Sequence, residues 1–211
     1  MPPPHLSLIQ GELASYGFDL QPAVIERLAI YLNLLLKWNS KHNLTGLSDT
    51  LEIVRTLFAE SIFSSFLLDP KDSPILDIGS GAGFPGMVLS LHQLGRRVYL
   101  VEPRSKKASF LSATRRELSL TDLTIIRKRL ETCDRGDFPE PPRVVSMRGV
   151  AEQWRLVERV APFAESSYKI MLFVSCNQEE EVKTHLPHFT FQSYPVPWRQ
   201  EHLVLLGQLS N

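Results

Sequence analysis

Ile75-Leu76-Asp77-Ile78-Gly79-Ser80-Gly81-Ala82-Gly83-Phe84-Pro85-Gly86 decides how this chain is read. A short apolar run ends in an acid, then opens into glycines at every second position and a proline suited to the first turn of a helix. That order is a strand, a tight turn and a helix start. Glycine at such density lets the backbone take φ > 0 and pass close to a ligand, because no Cβ stands in the way. The turn is shaped to hold a small molecule.

The glycines can be counted in two ways. Gly81-x-Gly83-x-x-Gly86 satisfies the dinucleotide fingerprint, whose helix N-terminus holds a pyrophosphate. Asp77-x-Gly79-x-Gly81-x-Gly83 resembles motif I of class I S-adenosylmethionine (SAM) methyltransferases. The second count fits better: Asp77, one residue ahead of Gly79, can act directly or through water on the cationic amino-acid end of SAM, and would oppose a pyrophosphate. The next apolar run, Arg97-Val98-Tyr99-Leu100-Val101, ends in Glu102, about 20 residues on, where a second-strand acid can accept hydrogen bonds from ribose hydroxyls.

With 211 residues and 43% hydrophobic side chains, the chain can bury one substantial core, which fits one catalytic domain with a small appendage. No apolar stretch reaches the roughly 18 residues of a membrane span, and Met1-Pro2-Pro3-Pro4-His5 lacks the basic and apolar regions of a signal peptide, so a cytoplasmic protein with no membrane partner is expected. Cys133 and Cys176 are far apart and without ligand spacing, which predicts neither a disulfide framework nor a metal site. His42, His185, His188 and His202 show no triad or metal spacing either.

The formal net charge is zero, which by itself predicts no polyanionic partner. The distribution is uneven. Between Arg96 and Arg129 ten basic residues (Arg96, Arg97, Arg104, Lys106, Lys107, Arg115, Arg116, Arg127, Lys128, Arg129) face three acids (Glu102, Glu117, Asp122). Such a run is either a solvated face or the phosphate-contacting footprint of a nucleic-acid-binding enzyme.

Before Pro74, apolar residues recur at helical spacing. Val24, Leu28, Tyr31, Leu32, Leu35 and Trp38 form one stripe, and Leu51, Val54, Phe58, Ile62 and Phe66 a second. Asn43-Leu44-Thr45-Gly46 breaks the two helices, and Asp69 to Pro74 reads as a linker. Strands are expected near 75–79, 98–102, 123–127, 143–146, 169–175, 188–194 and 202–207, with helices between the first six. This alternation predicts an α/β fold: a helical extension over 1–72, then a Rossmann-like, doubly wound parallel sheet over 73–211 whose last two strands form an antiparallel edge. Pro195 and Pro197 belong to the final connection.

Trp38-Asn39-Ser40-Lys41-His42-Asn43-Leu44-Thr45, Glu60-Ser61 and the glycine segment closing in Phe84-Pro85-Gly86 together resemble the small-subunit ribosomal RNA guanine-N7 methyltransferase family, also called glucose-inhibited division protein B. Glu102-x-x-x-Lys106-Lys107-x-x-Phe110-Leu111 and Arg129-Leu130-Glu131 are similar to its later motifs, so the likeness runs to Arg148. It implies a class I methyltransferase fold, SAM as cofactor, and ribosomal RNA or a ribosomal subunit as partner, with a monomer expected. It further implies that Asp77, Gly79, Gly81, Gly83, Phe84, Glu102, Leu130, Glu131 and Arg148 form the cofactor site, with Arg148 beside the reacting centre. The chain departs from the family pattern at Leu57, where the family has His, and at Val174-Ser175-Cys176, where it has Lys-Gly after the fifth strand.

The target atom has its own chemistry. Methylating an exocyclic amine requires removing a proton, and enzymes that do so often carry Asn/Asp-Pro-Pro-aromatic after the fourth strand; here that place reads Val145-Ser146-Met147-Arg148. Guanine N7 offers an in-plane lone pair and no proton, so it needs no general base. Two alternatives stay open: cytosine-C5 chemistry through Cys176, which ends a strand as in RNA cytosine-C5 methyltransferases but without their Pro-Cys, and a homologue that binds SAM and RNA without catalysis.

Overall fold

A computed structural model describes residues 2–210; Met1 and Asn211, the outer ends of the two expected parts, lie outside them. Helices α1 (Leu6–Ser15) and α2 (Pro22–His42) come first. Pro22 suits the first turn of α2, and Asn43 ends it in the left-handed region at φ 45°. The Asn-Leu-Thr turn after it is pinned by one side chain. Asn39 Oδ1 accepts from the Thr45 amide at 3.0 Å, and its Nδ2 donates to the Leu47 carbonyl at 3.0 Å.

The second apolar stripe forms a helix with a defect. Asp49 caps α3 (Thr50–Ile53), accepting from the Glu52 amide at 2.8 Å. The chain then widens into a π-helical turn, Val54–Ala59, before α4 (Glu60–Ser65). Phe66 lies past the helix end and is 54% exposed, so the stripe stops one turn earlier than its spacing suggests; its ring is shielded on one side by Phe18, 5.7 Å between centroids.

The sheet contains β1 (Ile75–Ile78), β2 (Val98–Val101), β3 (Leu123–Ile126), β4 (Val144–Arg148), β5 (Lys169–Ser175), β6 (Phe189–Pro195) and β7 (His202–Leu209). Their order is β3-β2-β1-β4-β5-β7-β6, parallel through β5, with β7 antiparallel to both β5 and β6. This is the doubly wound sheet with an antiparallel edge. Pro195 falls at the end of edge strand β6 and not wholly in the connection, a position where a missing N–H is tolerated.

Helices α5 (Gly86–His92), α6 (Ser105–Glu117), α7 (Gln153–Val160) and α8 (Cys176–His185) fill four of the five expected crossovers. Between β3 and β4 there is no α-helix, only two 3₁₀ turns, Leu130–Thr132 and Arg135–Asp137. Pro139, Pro141 and Pro142 crowd that connection, and proline removes the N–H a helix interior needs.

Side chains alternate across the strands, so each strand feeds two cores. Ile75, Val98 and Leu100 join α2, α5 and α6 on one face. Leu76, Ile78, Tyr99 and Val101 join α7, α8 and Phe138 on the other. The N-terminal helices share the first core with α5 and α6, so Leu28, Leu32, Phe58, Met87 and Phe110 belong to one apolar body. Among the described residues, no helix is long and apolar enough to cross a membrane.

Gly207 sits where β7 is squeezed between its neighbours. A Cβ there would lie 2.7 Å from Ile170 Cγ1 and 2.8 Å from Phe191 Cε1. Gly207→Ala should therefore destabilise the protein by about 1–3 kcal/mol in chemical denaturation, the usual cost of overpacking; an unchanged unfolding midpoint would contradict this close approach.

Candidate active site

The glycine turn comes directly after β1. Gly79, Gly81 and Gly83 all have positive φ, at 68°, 59° and 97°. The turn is tied to β2 by the Gly79 amide, which donates to the Val101 carbonyl at 2.9 Å, and closes on itself where the Gly83 amide meets Ser80 O at 2.6 Å. Of the three, Gly83 is the position the protein itself forbids to a side chain. A Cβ there would stand 2.6 Å from the Tyr31 hydroxyl and 3.0 Å from both Leu111 Cδ2 and Met87 Cβ. Tyr31, fully buried on α2, donates its hydroxyl to the Ala82 carbonyl and so clamps the turn from the helical side.

Phe84 belongs to the same clamp. Its ring stacks on Tyr31 at 5.2 Å and meets Phe58 edge-on at 5.0 Å, which places it in the packed interior instead of on the wall of a cleft. Asp77 lies beneath the turn and is also fully buried. Its Oδ1 accepts from the Ser146 hydroxyl at 2.8 Å, and its Oδ2 from the Gly86 amide at 3.4 Å, at the start of α5. The carboxylate thus braces β1, β4 and α5 together from inside, with no surface open to a ligand. Burial pushes its pKa up to about 6, despite the hydrogen bonds from Ser146, Ser80 and Gly86.

Glu102 follows β2 and is buried with both oxygens engaged. Oε2 accepts from the Gly81 amide and Oε1 from the Arg104 amide, each at 2.8 Å. Each oxygen keeps a second lone pair for a ligand hydroxyl. Beside it a cleft of about 440 Å³ is lined by Gly79, Arg104, Arg129, Leu130, Glu131 and Val150. The structure thus brings Gly79, Leu130 and Glu131 to one cleft together with Val101 and Pro103, the chain neighbours of Glu102; Asp77, Gly83 and Phe84 are buried and line no part of it.

Arg148 goes elsewhere. At the end of β4 its Nη1 lies 2.7 Å from Glu60 Oε2, its Nη2 donates to the Thr56 carbonyl at 2.9 Å, and its guanidinium stands 5.1 Å over the Phe173 ring. Burial pushes its pKa down while Glu60 opposes this. These contacts form the wall of a second cavity of about 270 Å³, which also includes Gly149, Ser175, Arg199 and His202. The cleft and the cavity share one short loop, since Gly149 lines the cavity and the next residue, Val150, the cleft. Both lie past the carboxyl ends of the strands, around the β1–β4 switch point where open α/β sheets bind ligands.

Sequence reasoning missed Thr56, Tyr31's role, Arg199 and His202. Glu60 was visible only as half of a family motif. Of the ten bases between Arg96 and Arg129, five are engaged within the protein: Arg97 pairs with Glu140, Lys128 with Asp137 at 2.6 Å, Arg96 is buried against the Asp69 carbonyl at 2.9 Å, Arg115 Nε donates to the Leu120 carbonyl at 3.1 Å, and Arg127 donates to the Ser105 hydroxyl. Cys176 opens α8 on the exposed surface, and burial pushes the Cys133 thiol up to about 11.

Asp77 generates a pH prediction. Its pKa is higher folded than unfolded, so between these values the folded state binds more protons and stability falls as pH rises. Asn does not titrate. The stability of the wild type relative to Asp77→Asn should therefore drop by roughly 2 kcal/mol between pH 4 and pH 7 in parallel denaturation series; a flat difference would place the carboxyl in a far wetter site.

Among curated proteins, the chain is 33% identical to ribosomal RNA small subunit methyltransferase G of Staphylococcus haemolyticus over 173 residues, covering 82% of this chain and 72% of that one. It is 32% identical to the protein of the same name from Wolinella succinogenes, covering 86% and 94%. In fold it resembles a SAM-dependent methyltransferase from Aquifex aeolicus, with a TM-score of 0.59 at 15% identity over 75% of this chain and 93% of that one. A family model described as rRNA small subunit methyltransferase G matches residues 24–200, most of the chain. With the glycine turn, the Glu102 cleft and the paired cavity in place, the chain belongs to the rRNA small subunit methyltransferase G family.

Proposed function

We propose that the protein transfers a methyl group from SAM to N7 of a guanine in small-subunit ribosomal RNA, acting in the cytoplasm as a single chain. The observation that carries this reading is that consecutive residues of one loop, Gly149 and Val150, line the cavity and the cleft, which lets a cofactor and an acceptor base be held next to each other. In this reading Gly79, Leu130 and Glu131 enclose the nucleoside, Glu102 accepts from its ribose hydroxyls, and the Tyr31 clamp keeps the turn in shape. The glycine turn fits such a ligand, because a Cβ added at Gly81 would have only the Lys107 Nζ (3.6 Å) and the Gly79 carbonyl (3.7 Å) near it, leaving the front of the turn free.

When bound, SAM supplies a methyl carbon on a cationic sulfur; transfer breaks that carbon–sulfur bond with its electrons going to sulfur, and the positive charge passes to the purine. The residues here contribute position and exclusion of water. Neither acidic nor basic side chains lining the cavity are free to take a proton: both Glu60 oxygens face arginines, and His202 Nε2 meets Arg199 at 3.0 Å. A site without an idle base suits N7, which has no proton to lose, over an exocyclic amine. Cys176 is exposed and outside the cavity wall, which disfavours cytosine-C5 chemistry. Leu57 packs in the core and Val174 gives the cavity an apolar wall, so neither departure from the family pattern puts an ionisable group at the reacting centre.

Mapping of N7-methylguanosine by reverse transcription, in ribosomal RNA from cells with and without the gene, tests the assignment: one small-subunit position should lose its signal in the deletion. For the cofactor, calorimetry should show Glu102→Ala weakening SAM by about 1–3 kcal/mol, since ribose hydroxyls and the Gly81 and Arg104 amides all lose their acceptor; equal affinity would remove Glu102 from the site. Arg148→Lys should cost about 10- to 100-fold in rate by misplacing the loop between cleft and cavity, while Cys176→Ser should leave turnover unchanged. An inert Cys176→Ser enzyme beside an active Arg148→Lys enzyme would turn the reading to cytosine-C5.

A further inference from the structure

The cavity beside Arg148 holds a linked cluster of charged and polar side chains. Glu60, 4% exposed, turns one oxygen to Arg148 at 2.7 Å and the other to Arg199. Arg199 also reaches His202 Nε2 at 3.0 Å. A guanidinium only donates, so this nitrogen accepts, and His202 is a neutral imidazole with its proton on Nδ1. Burial, and then Arg199, push the His202 pKa down, in keeping with that state. Glu60, Arg148 and Arg199 together leave one net positive charge.

The two arginines are not equivalent. Arg148 is turned inward, its Nη2 held by the Thr56 carbonyl and its guanidinium over the Phe173 ring and ion-paired with Glu60, with Nη1 buried and making no hydrogen bond. Arg199 sits on the loop between β6 and β7, with 26% of its side chain exposed. Of its five N–H groups, Nη1 serves Glu60 and Nη2 serves His202, which leaves donors for the cavity. Next to N7, guanine carries the acceptor O6, whereas adenine carries an amino donor.

Resting on the N7 reading, we propose that Arg199, held by Glu60 and His202, is the specificity-determining residue of the acceptor cavity: its free N–H groups take O6 of the target guanine and leave N7 turned to the methyl donor. An adenine in the same pose would set its amino group against the guanidinium, donor on donor. A guanine turned so that N7 itself met Arg199 would be unreactive, because the lone pair would be occupied. One residue thus selects both the base and its orientation.

The test uses the full-length protein and a small-subunit RNA substrate carrying, at the mapped position, either guanine or 2-aminopurine, which keeps N7 but lacks O6. Wild type should prefer guanine by about 10- to 100-fold in kcat/KM for methyl incorporation, the range of one hydrogen bond to a charged donor. In Arg199→Gln that preference should collapse toward unity, while SAM affinity stays within about twofold of wild type. Arg199→Lys, which keeps a charge against Glu60, reads the same ratio if the Gln variant fails to fold, and should also lower it. A preference unchanged from wild type, or a loss of SAM affinity parallel to the loss of rate, would mark Arg199 as a structural brace and overturn the assignment. A wild-type protein that methylates no guanine overturns the N7 reading and this one with it, and is told apart because the failure precedes any substitution.

Discussion

Glu60 is a carboxylate in a place where carboxylates do not sit unaided. Its charge has lost nearly all its water, and two guanidinium groups replace that solvation. One comes from the end of β4, the other from the loop after β6, while Glu60 opens α4. Three parts of the chain that share no sequence neighbourhood are therefore fixed by one ion. Removing one partner from such a buried pair costs roughly 3–5 kcal/mol, whereas the intact group adds less than its contacts suggest, because desolvation offsets attraction. Its value lies in geometry: it ties the end of β4 and the β6–β7 loop to α4 at the cavity wall.

The π-helical turn at Val54–Ala59 makes this geometry possible. An extra residue in a helical turn widens it and rotates the residues beyond it about the helix axis, and such turns are frequent at functional sites. The Thr56 carbonyl here receives Arg148, and the Arg55 carbonyl receives Trp198 Nε1 at 3.1 Å. Trp198 in turn stacks on Tyr16 at 4.2 Å, tying the β6–β7 loop to the end of α1. The loop that carries Arg199 is thus held by an aromatic contact on one side and an ion on the other.

How much of this was legible depends on how far apart the interacting residues lie. Most strands were visible because each is a short apolar run, and the acid that follows β2 marks the ligand side. The glycine turn was visible because positive φ demands glycine locally. The helix expected before β4 is absent because Pro139, Pro141 and Pro142 fall in that crossover, and an alternation of elements carries no information about such local breakers. Phe84 was expected on the cofactor wall, yet its ring has a better partner in Tyr31, far earlier in the chain. The π turn leaves a 3–4 apolar spacing almost untouched, so periodicity does not reveal it. Arg199 and Glu60, 139 residues apart, meet only through the fold, and no local signal announces such a pair.

The hydroxyl of Tyr31 resting on the Ala82 carbonyl makes the helical layer and the glycine turn a single thermodynamic unit. Any ligand that prefers the turn in its closed shape also prefers α2 docked, so occupancy and docking are linked functions: each raises the equilibrium constant of the other by the same factor. Exchange of backbone amides in α2, far from the cleft mouth, then becomes a reporter of what the cleft contains.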